Sequence, residues 1–230
     1  MPKELLNINI SYCYVTEAFQ EKYFERCLSV MPEVRQRKIR RFRLWKDAQA
    51  SLLGYCMIAH DILGGDFSKL SLVQHNSYGK PFIEGYPYFN LTHAGEIVAL
   101  ASWGNEVGID IEVIKEIDLR DFETEMTTME WKRIKQSADI NSFYKLWTQK
   151  EAVVKALGKG LSVPLNEFEI NDEQTVLEQR VYYIKEVLLD ENYICNIASP
   201  VDMQQALLAI KLKNPFDYYQ AAKSSDKISF

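Results

Sequence analysis

The 3.6-residue period between Phe143 and Leu157 constrains the fold of this chain more than any other feature. At about 100° per residue, Phe143, Leu146, Trp147, Val153, Val154 and Leu157 form one apolar arc, which predicts a long helix with a buried face. Gly158 and Gly160 in "LGKGLS" predict its C-terminal cap. A second helical pattern runs from about Pro32 to Leu63 and stops at Gly64 and Gly65. Strand patterns surround both helices: "LLNINISYCYV" before, "FNLTH", "EIVALASW" and "VGIDIEVI" between, and "EFEIN", "RVYYIKEVLLD", "NYICNIAS" and "QALLAIKLK" after. Residues from Asp118 to Ser137 read as one or two polar helices, Asp190 to Asn192 as a hairpin turn, and the chain after Pro215 as a loose polar tail. This order predicts an α+β fold of two comparable halves, residues 1–104 and 105–230, with the seam near Gly104.

With 230 residues, 47% of them hydrophobic, the chain can bury a sizeable core. No apolar run approaches the roughly 20 residues of a bilayer crossing, and the start lacks a basic segment followed by an apolar one, so a cytoplasmic, non-membrane protein is expected. Cys13, Cys27, Cys56 and Cys195 lie far apart without a CxxC pair, which argues against a zinc knuckle or a dithiol motif and predicts buried fillers. A net charge of -5 argues against general polyanion binding. Yet "RQRKIRRFRLWK" gathers Arg35, Arg37, Lys38, Arg40, Arg41, Arg43 and Lys46 with no acid among them.

In "GIDIE" the period of two puts Ile109, Ile111 and Val113 on one face and Asp110 and Glu112 on the other. Two carboxylates roughly 6 to 7 Å apart at their α-carbons repel in a partly buried site unless a cation or proton lies between them. Mg²⁺ suits such hard oxygens; solvated acids on an outer strand face are the other reading at this point. In the long helix, Lys150 falls inside the apolar arc, where an unpaired ammonium is costly. Glu151 and Lys155 stand at its edge, spaced either as a surface ion pair or as site residues. Thr92 and His93 end a strand before a glycine turn, and "YGKP" projects Lys80 from a stiff loop. The glycines of "LGKGLS" end a helix rather than begin one, so they form no phosphate-gripping loop.

Taken in order, "GKP", "FNLTH", "GIDIE" and "WTQKEAVVKALGKGL" resemble the signature set of the 4'-phosphopantetheinyl transferases, in particular the long monomeric type that activates peptide and polyketide synthetases. The motifs run from Tyr78 to Leu161, and "PEVRQRKIRRF" with "DAQASLLG" agrees with that type. The resemblance implies two similar halves related by a pseudo-twofold axis, each a small, mostly antiparallel sheet on a long helix, with the active site in the cleft between them. It implies attack by a serine hydroxyl of an apo carrier protein on the β-phosphate of coenzyme A, with release of adenosine 3',5'-bisphosphate. Asp110, Glu112 and Glu151 would hold Mg²⁺, or Mn²⁺; Glu151 would act as base and Lys155 would serve the α-phosphate or the leaving group. Thr92, His93, Asp110, Lys80, Ser51 and the segment with Arg37, Arg40, Arg41 and Arg43 would bind the nucleotide. Thr92 replaces the serine common in the motif and keeps its hydroxyl; Glu130 matches the family's supporting glutamate only loosely. The partners implied are acyl or peptidyl carrier proteins, with no nucleic acid and no membrane. Two other readings stand beside this one: a different Mg²⁺-dependent enzyme acting on a nucleotide diphosphate, and a nonenzymatic module that binds nucleic acid or protein through the basic segment.

Overall fold

The computed structural model describes residues 7–16, 19, 21–137 and 139–224. The strands are β1 (Asn7–Tyr14), β2 (Gln74–His75), β3 (Pro81–Phe82), β4 (Tyr88–Ala94), β5 (Ile97–Trp103), β6 (Gly108–Val113), β7 (Gln174–Leu177), β8 (Arg180–Glu186), β9 (Tyr193–Ser199) and β10 (Leu207–Leu212). The helices are α1 (Glu21–Ser29), α2 (Glu33–Ile39), α3 (Trp45–Met57), α4 (Thr128–Ser137), α5 (Ile140–Leu157) and α6 (Pro215–Ser224). Two four-stranded sheets, ordered β10-β1-β5-β4 and β6-β9-β8-β7, carry the fold, as expected for an α+β chain with two sheet-bearing halves. Every ladder in them is antiparallel except β1 with β10.

Side-chain alternation decides the layers. Ile8, Ile10, Ile97, Ala99 and Ala101 of the first sheet meet Ile109, Ile111, Cys195 and Ile197 of the second in one apolar cluster between them. The other face of the first sheet, with Cys13, Phe89, Val98 and Leu100, packs on α1, α3 and α6. The other face of the second, with Tyr182, Ile184 and Ala198, packs on α5. All four cysteines are buried and unbonded, as expected of fillers.

Several expectations are corrected. The helix expected from Pro32 to Leu63 is broken between α2 and α3, and α3 runs on into a π-helical turn at Ile58–Ile62. An unbroken helix would stack Arg37 on Arg41 at the i,i+4 spacing, where like charges repel. "EFEIN" forms no ladder strand beyond an isolated bridge from Asn171 to Gln174, and side chains take two of its other backbone groups: the Phe168 carbonyl accepts from Lys150 Nζ and the Ile170 amide donates to Glu130 Oε1. The chain after Pro215 is helix α6 rather than a loose tail as far as Ser224, with Tyr218 and Ala222 fully buried. Its start has the chemistry of a helix N-terminus: Asn214 Oδ1 accepts from the Phe216 amide, with Pro215 at the first helical position. β10 and α6, which sequence order puts in the second half, are built onto the first sheet and its helices. Residues 1–6 and 225–230, expected as the strand's beginning and the tail's end, lie outside the described residues.

Candidate active site

The edge strand of each sheet supplies the site, since β4 and β6 run beside one another. The Ile109 amide donates to Asn90 Oδ1 at 2.9 Å, joining the two edges through a side chain. Gly108 lets β6 lie directly on α5: a Cβ there would sit 2.1 Å from the Ala152 carbonyl oxygen and 2.3 Å from the Ala156 nitrogen. The period of two then faces Asp110 and Glu112 toward α5 while Ile109 and Ile111 enter the inter-sheet core. The acids are therefore not solvated on an outer face; Asp110 is only 5% exposed.

Three elements meet at Asp110. Lys155 Nζ of α5 donates to Asp110 Oδ1 at 2.6 Å and to Thr92 Oγ1 of β4 at 3.1 Å, and Thr92 Oγ1 lies 3.3 Å from the same carboxylate oxygen. Asp110 Oδ2 is buried with no hydrogen-bond partner. Burial, opposed by the Lys155 ammonium, raises the Asp110 carboxyl above its ordinary value. Burial and then the Asp110 charge push Glu112 up to about 7, and the same two causes raise Glu151. Three carboxyls with elevated proton affinity thus share one electrostatic neighbourhood with Lys155, and Lys115 also acts on Glu112. Beside Glu151 and Lys155 opens a cavity of about 540 Å³ walled by Phe122, Trp147, Val163 and Pro164 and rimmed by Asp121 and Glu125.

His93, next along β4, is exposed and turns the other way, toward α3. Desolvation and the Lys155 charge lower its imidazole, against the pull of Asp47 and Asp110. Sequence reasoning missed Asp47, although Asp47, Ser51 and Gly54 repeat at helical spacing along α3. Lys46 Nζ stands 3.7 Å from Glu96 Oε1 in the turn after β4, which places the end of the basic segment beside this side of the site. Within that segment, Arg37 pairs with Glu33 at 3.4 Å and Arg40 with Glu25 at 2.6 Å on the surface, while Arg41 and Arg43 are exposed. Arg35 instead donates to the Val73 carbonyl and the Tyr55 hydroxyl.

Two lysines take other positions than expected. Lys80 Nζ donates to the carbonyls of Val107 at 3.1 Å and Ala156 at 3.0 Å rather than projecting as a lone cation, and burial lowers it to about 8. Lys150 does not reach the site acids; it is fully buried against Glu130 Oε2 at 2.8 Å. Glu130 in turn caps α4, accepting from the Thr127 amide while Thr127 Oγ1 accepts from the Glu130 amide. That reciprocal cap was legible as "TTME", a threonine three residues before a glutamate.

The donor set suits a hard divalent cation: all oxygens, one of them buried without a partner, on carboxyls whose mutual repulsion a cation relieves. Among the described residues no group of three or more His, Cys, Asp or Glu side chains is already gathered as a cage. Asp110 Oδ1 is instead taken by Lys155. No helix of the described residues is long and apolar enough to cross a membrane.

Comparison with known proteins places these residues in a family. Residues 106–198 match the 4'-phosphopantetheinyl transferase superfamily model, and residues 18–105 match the model for the N-terminal part of a 4'-phosphopantetheinyl transferase. The 4'-phosphopantetheinyl transferase gsp of Aneurinibacillus migulanus is 34% identical over 206 residues, covering 84% of this chain and 86% of that protein. The 4'-phosphopantetheinyl transferase Sfp of Bacillus subtilis is 30% identical over 194 residues, covering 78% of this chain and 87% of that one. The L-aminoadipate-semialdehyde dehydrogenase-phosphopantetheinyl transferase of Xenopus laevis is 30% identical over 186 residues, covering 70% and 61%.

Proposed function

Because the chain belongs to the 4'-phosphopantetheinyl transferase superfamily, we propose that it moves the 4'-phosphopantetheine arm of coenzyme A onto a serine hydroxyl of an apo acyl or peptidyl carrier protein, releasing adenosine 3',5'-bisphosphate. The observation that carries this reading is the junction of Thr92, Asp110 and Lys155, one residue from each of three elements, beside Glu112 and Glu151. Transfer needs a base for the serine proton and positive charge for the pyrophosphate. Glu151 stands on the cavity wall, where its carboxylate can take the serine proton. Lys155, one turn along the same helix, carries its ammonium to the leaving side. Thr92 on the Asp110 side of β4, and His93, Ser51 and the segment bearing Arg37, Arg40, Arg41 and Arg43 on the α3 side, bind the nucleotide from two directions. Asp110, Glu112 and Glu151 would hold Mg²⁺, or Mn²⁺ with the same oxygens, which when bound would neutralise the pyrophosphate charge. The protein acts as a cytoplasmic monomer on carrier proteins, and on neither nucleic acid nor membrane.

The test is intact-mass analysis of several apo carrier proteins after incubation with the protein, coenzyme A and Mg²⁺. Gain of one phosphopantetheine on at least one carrier is expected. Failure with fatty-acid, polyketide and peptide carriers alike would sink the reading.

A further inference from the structure

The last carbonyls of a helix have no partner within it and must find one elsewhere. At the end of α5, Gly158 adopts φ 79° and its amide returns to the Val154 carbonyl. Two of the carbonyls beyond are satisfied from across the seam, by the loop between β2 and β3. Asn76 Nδ2 donates to the Gly158 carbonyl at 2.8 Å, and Lys80 Nζ donates to the Ala156 carbonyl at 3.0 Å. The same ammonium donates to the Val107 carbonyl at 3.1 Å, at the entrance to β6.

The loop is built to present these two side chains. Asn76 Oδ1 accepts from the amides of Tyr78 and Lys80, both at 2.9 Å, and the Asn76 amide donates to the Lys80 carbonyl at 3.0 Å. Gly79 takes φ 92° to close the turn. Contact with the helix end leaves no slack: a Cβ on Gly158 would lie 3.0 Å from Lys80 Cδ and 3.2 Å from Asn76 Nδ2. A cation at this end also complements the negative pole of the helix.

The acceptors sit next to the chemistry. Ala156 adjoins Lys155, and Val107 lies three residues before Asp110, so one ammonium ties together the two elements whose side chains form the 2.6 Å Lys155 to Asp110 contact. We infer that Asn76 and Lys80 are positioning residues: they cap α5 from the first half of the molecule and lock its last turn to β6, holding Lys155 in register with Asp110. This rests on the transferase reading for its catalytic consequence, and assigns Lys80 to the helix end rather than to a phosphate. Lys80 also lines a cavity with Phe82, Tyr86 and Tyr88, whereas Asn76 does not, and that difference makes the assignment testable.

Asn76→Asp keeps the Oδ1 acceptor that holds the turn but removes the donor to Gly158; Lys80→Met removes the ammonium; Lys80→Arg restores a cation. Steady-state transfer to a carrier the wild type modifies, with coenzyme A varied, is measured beside amide hydrogen exchange of residues 154–160. Asn76→Asp and Lys80→Met are each expected to lower kcat about tenfold with the KM for coenzyme A nearly unchanged. Both should speed exchange in the last turn of α5, and Lys80→Arg should recover most of both effects. If Lys80→Met raises KM alone while Asn76→Asp is silent, Lys80 is a ligand contact and the inference is wrong. Unchanged exchange in Asn76→Asp overturns the cap itself, even where Lys80→Met fails to fold. A wild type that modifies no carrier sinks the transferase reading instead, and the exchange measurement still decides the cap.

Discussion

Lys150→Met tests whether the lysine in the apolar arc of α5 is structural or faces substrate. Its Nζ lies 2.8 Å from Glu130 Oε2, 2.7 Å from the Leu165 carbonyl and 2.5 Å from the Phe168 carbonyl, with both members of the ion pair at 0% exposure. The ammonium also stands 4.4 Å from the centre of the Phe168 ring. Methionine keeps the stem and removes the charge. The Glu130 carboxylate is then left with two backbone donors, Thr127 and Ile170, and the two carbonyls lose their partner. Removing one member of a buried pair costs about 3 to 5 kcal/mol. For a chain of this size that is a fall in Tm of about 10 °C. Thermal melts followed by circular dichroism measure it, with transfer assayed well below the transition. Glu130→Met alone strands the ammonium and should also destabilise, while the double substitution should regain only the part due to a stranded charge, because the Thr127 and Ile170 amides and the Leu165 and Phe168 carbonyls stay unpartnered. A Lys150→Met protein that melts within about 2 °C of wild type but has lost transfer would refute the structural role and return Lys150 to the substrate.

Asp110→Asn and Glu151→Gln should each abolish phosphopantetheine transfer without loss of the fold; wild-type turnover in either removes that residue from the mechanism. Gly108→Ala drives a methyl into backbone atoms of α5 at 2.1 and 2.3 Å, and should lower the unfolding free energy by about 1 to 3 kcal/mol, read from the urea midpoint. Glu112 gives a pH signature. Its folded value of about 7 exceeds the 4.5 of an unperturbed carboxyl, so the folded state binds more protons between those limits and stability falls as pH rises through that window. Asp110 and Glu151 shift in the same direction. Urea unfolding across that range with a chelator present should show the slope, and Glu112→Gln should flatten it; an unchanged slope would remove Glu112 as its source.

The strands were legible because one face of each is apolar and the other meets a helix or water, a pattern that survives any tertiary arrangement. "GIDIE" and "FNLTH" appear as β6 and β4 with Asp110 and Thr92 on the site side. The helix ends marked by Gly64 and Gly158 were legible for the same local reason. The break between α2 and α3 was not, because Phe42 and Trp45 continue the apolar spacing of a helix across it. "EFEIN" looked like a strand because its alternation is real; its Phe168 carbonyl and Ile170 amide go instead to Lys150 of α5 and Glu130 of α4, 18 and 40 positions away.

Residue chemistry in this chain, read along one dimension, settles which groups can do work: acids on one strand face, a hydroxyl and an imidazole at a strand end, and a glutamate and a lysine one helical turn apart. It cannot decide which charges meet. Lys150 and Lys155 have the same side chain five positions apart on one helix, yet one closes a buried structural pair with Glu130 and the other stands on Asp110 at the seam. Lys80 spans that seam to hold the end of the same helix. A charge is assigned by the nearest opposite charge or carbonyl in a medium of low dielectric, and those neighbours come from elements far apart in the chain, so only the packing of two sheets and α5 could make the choice.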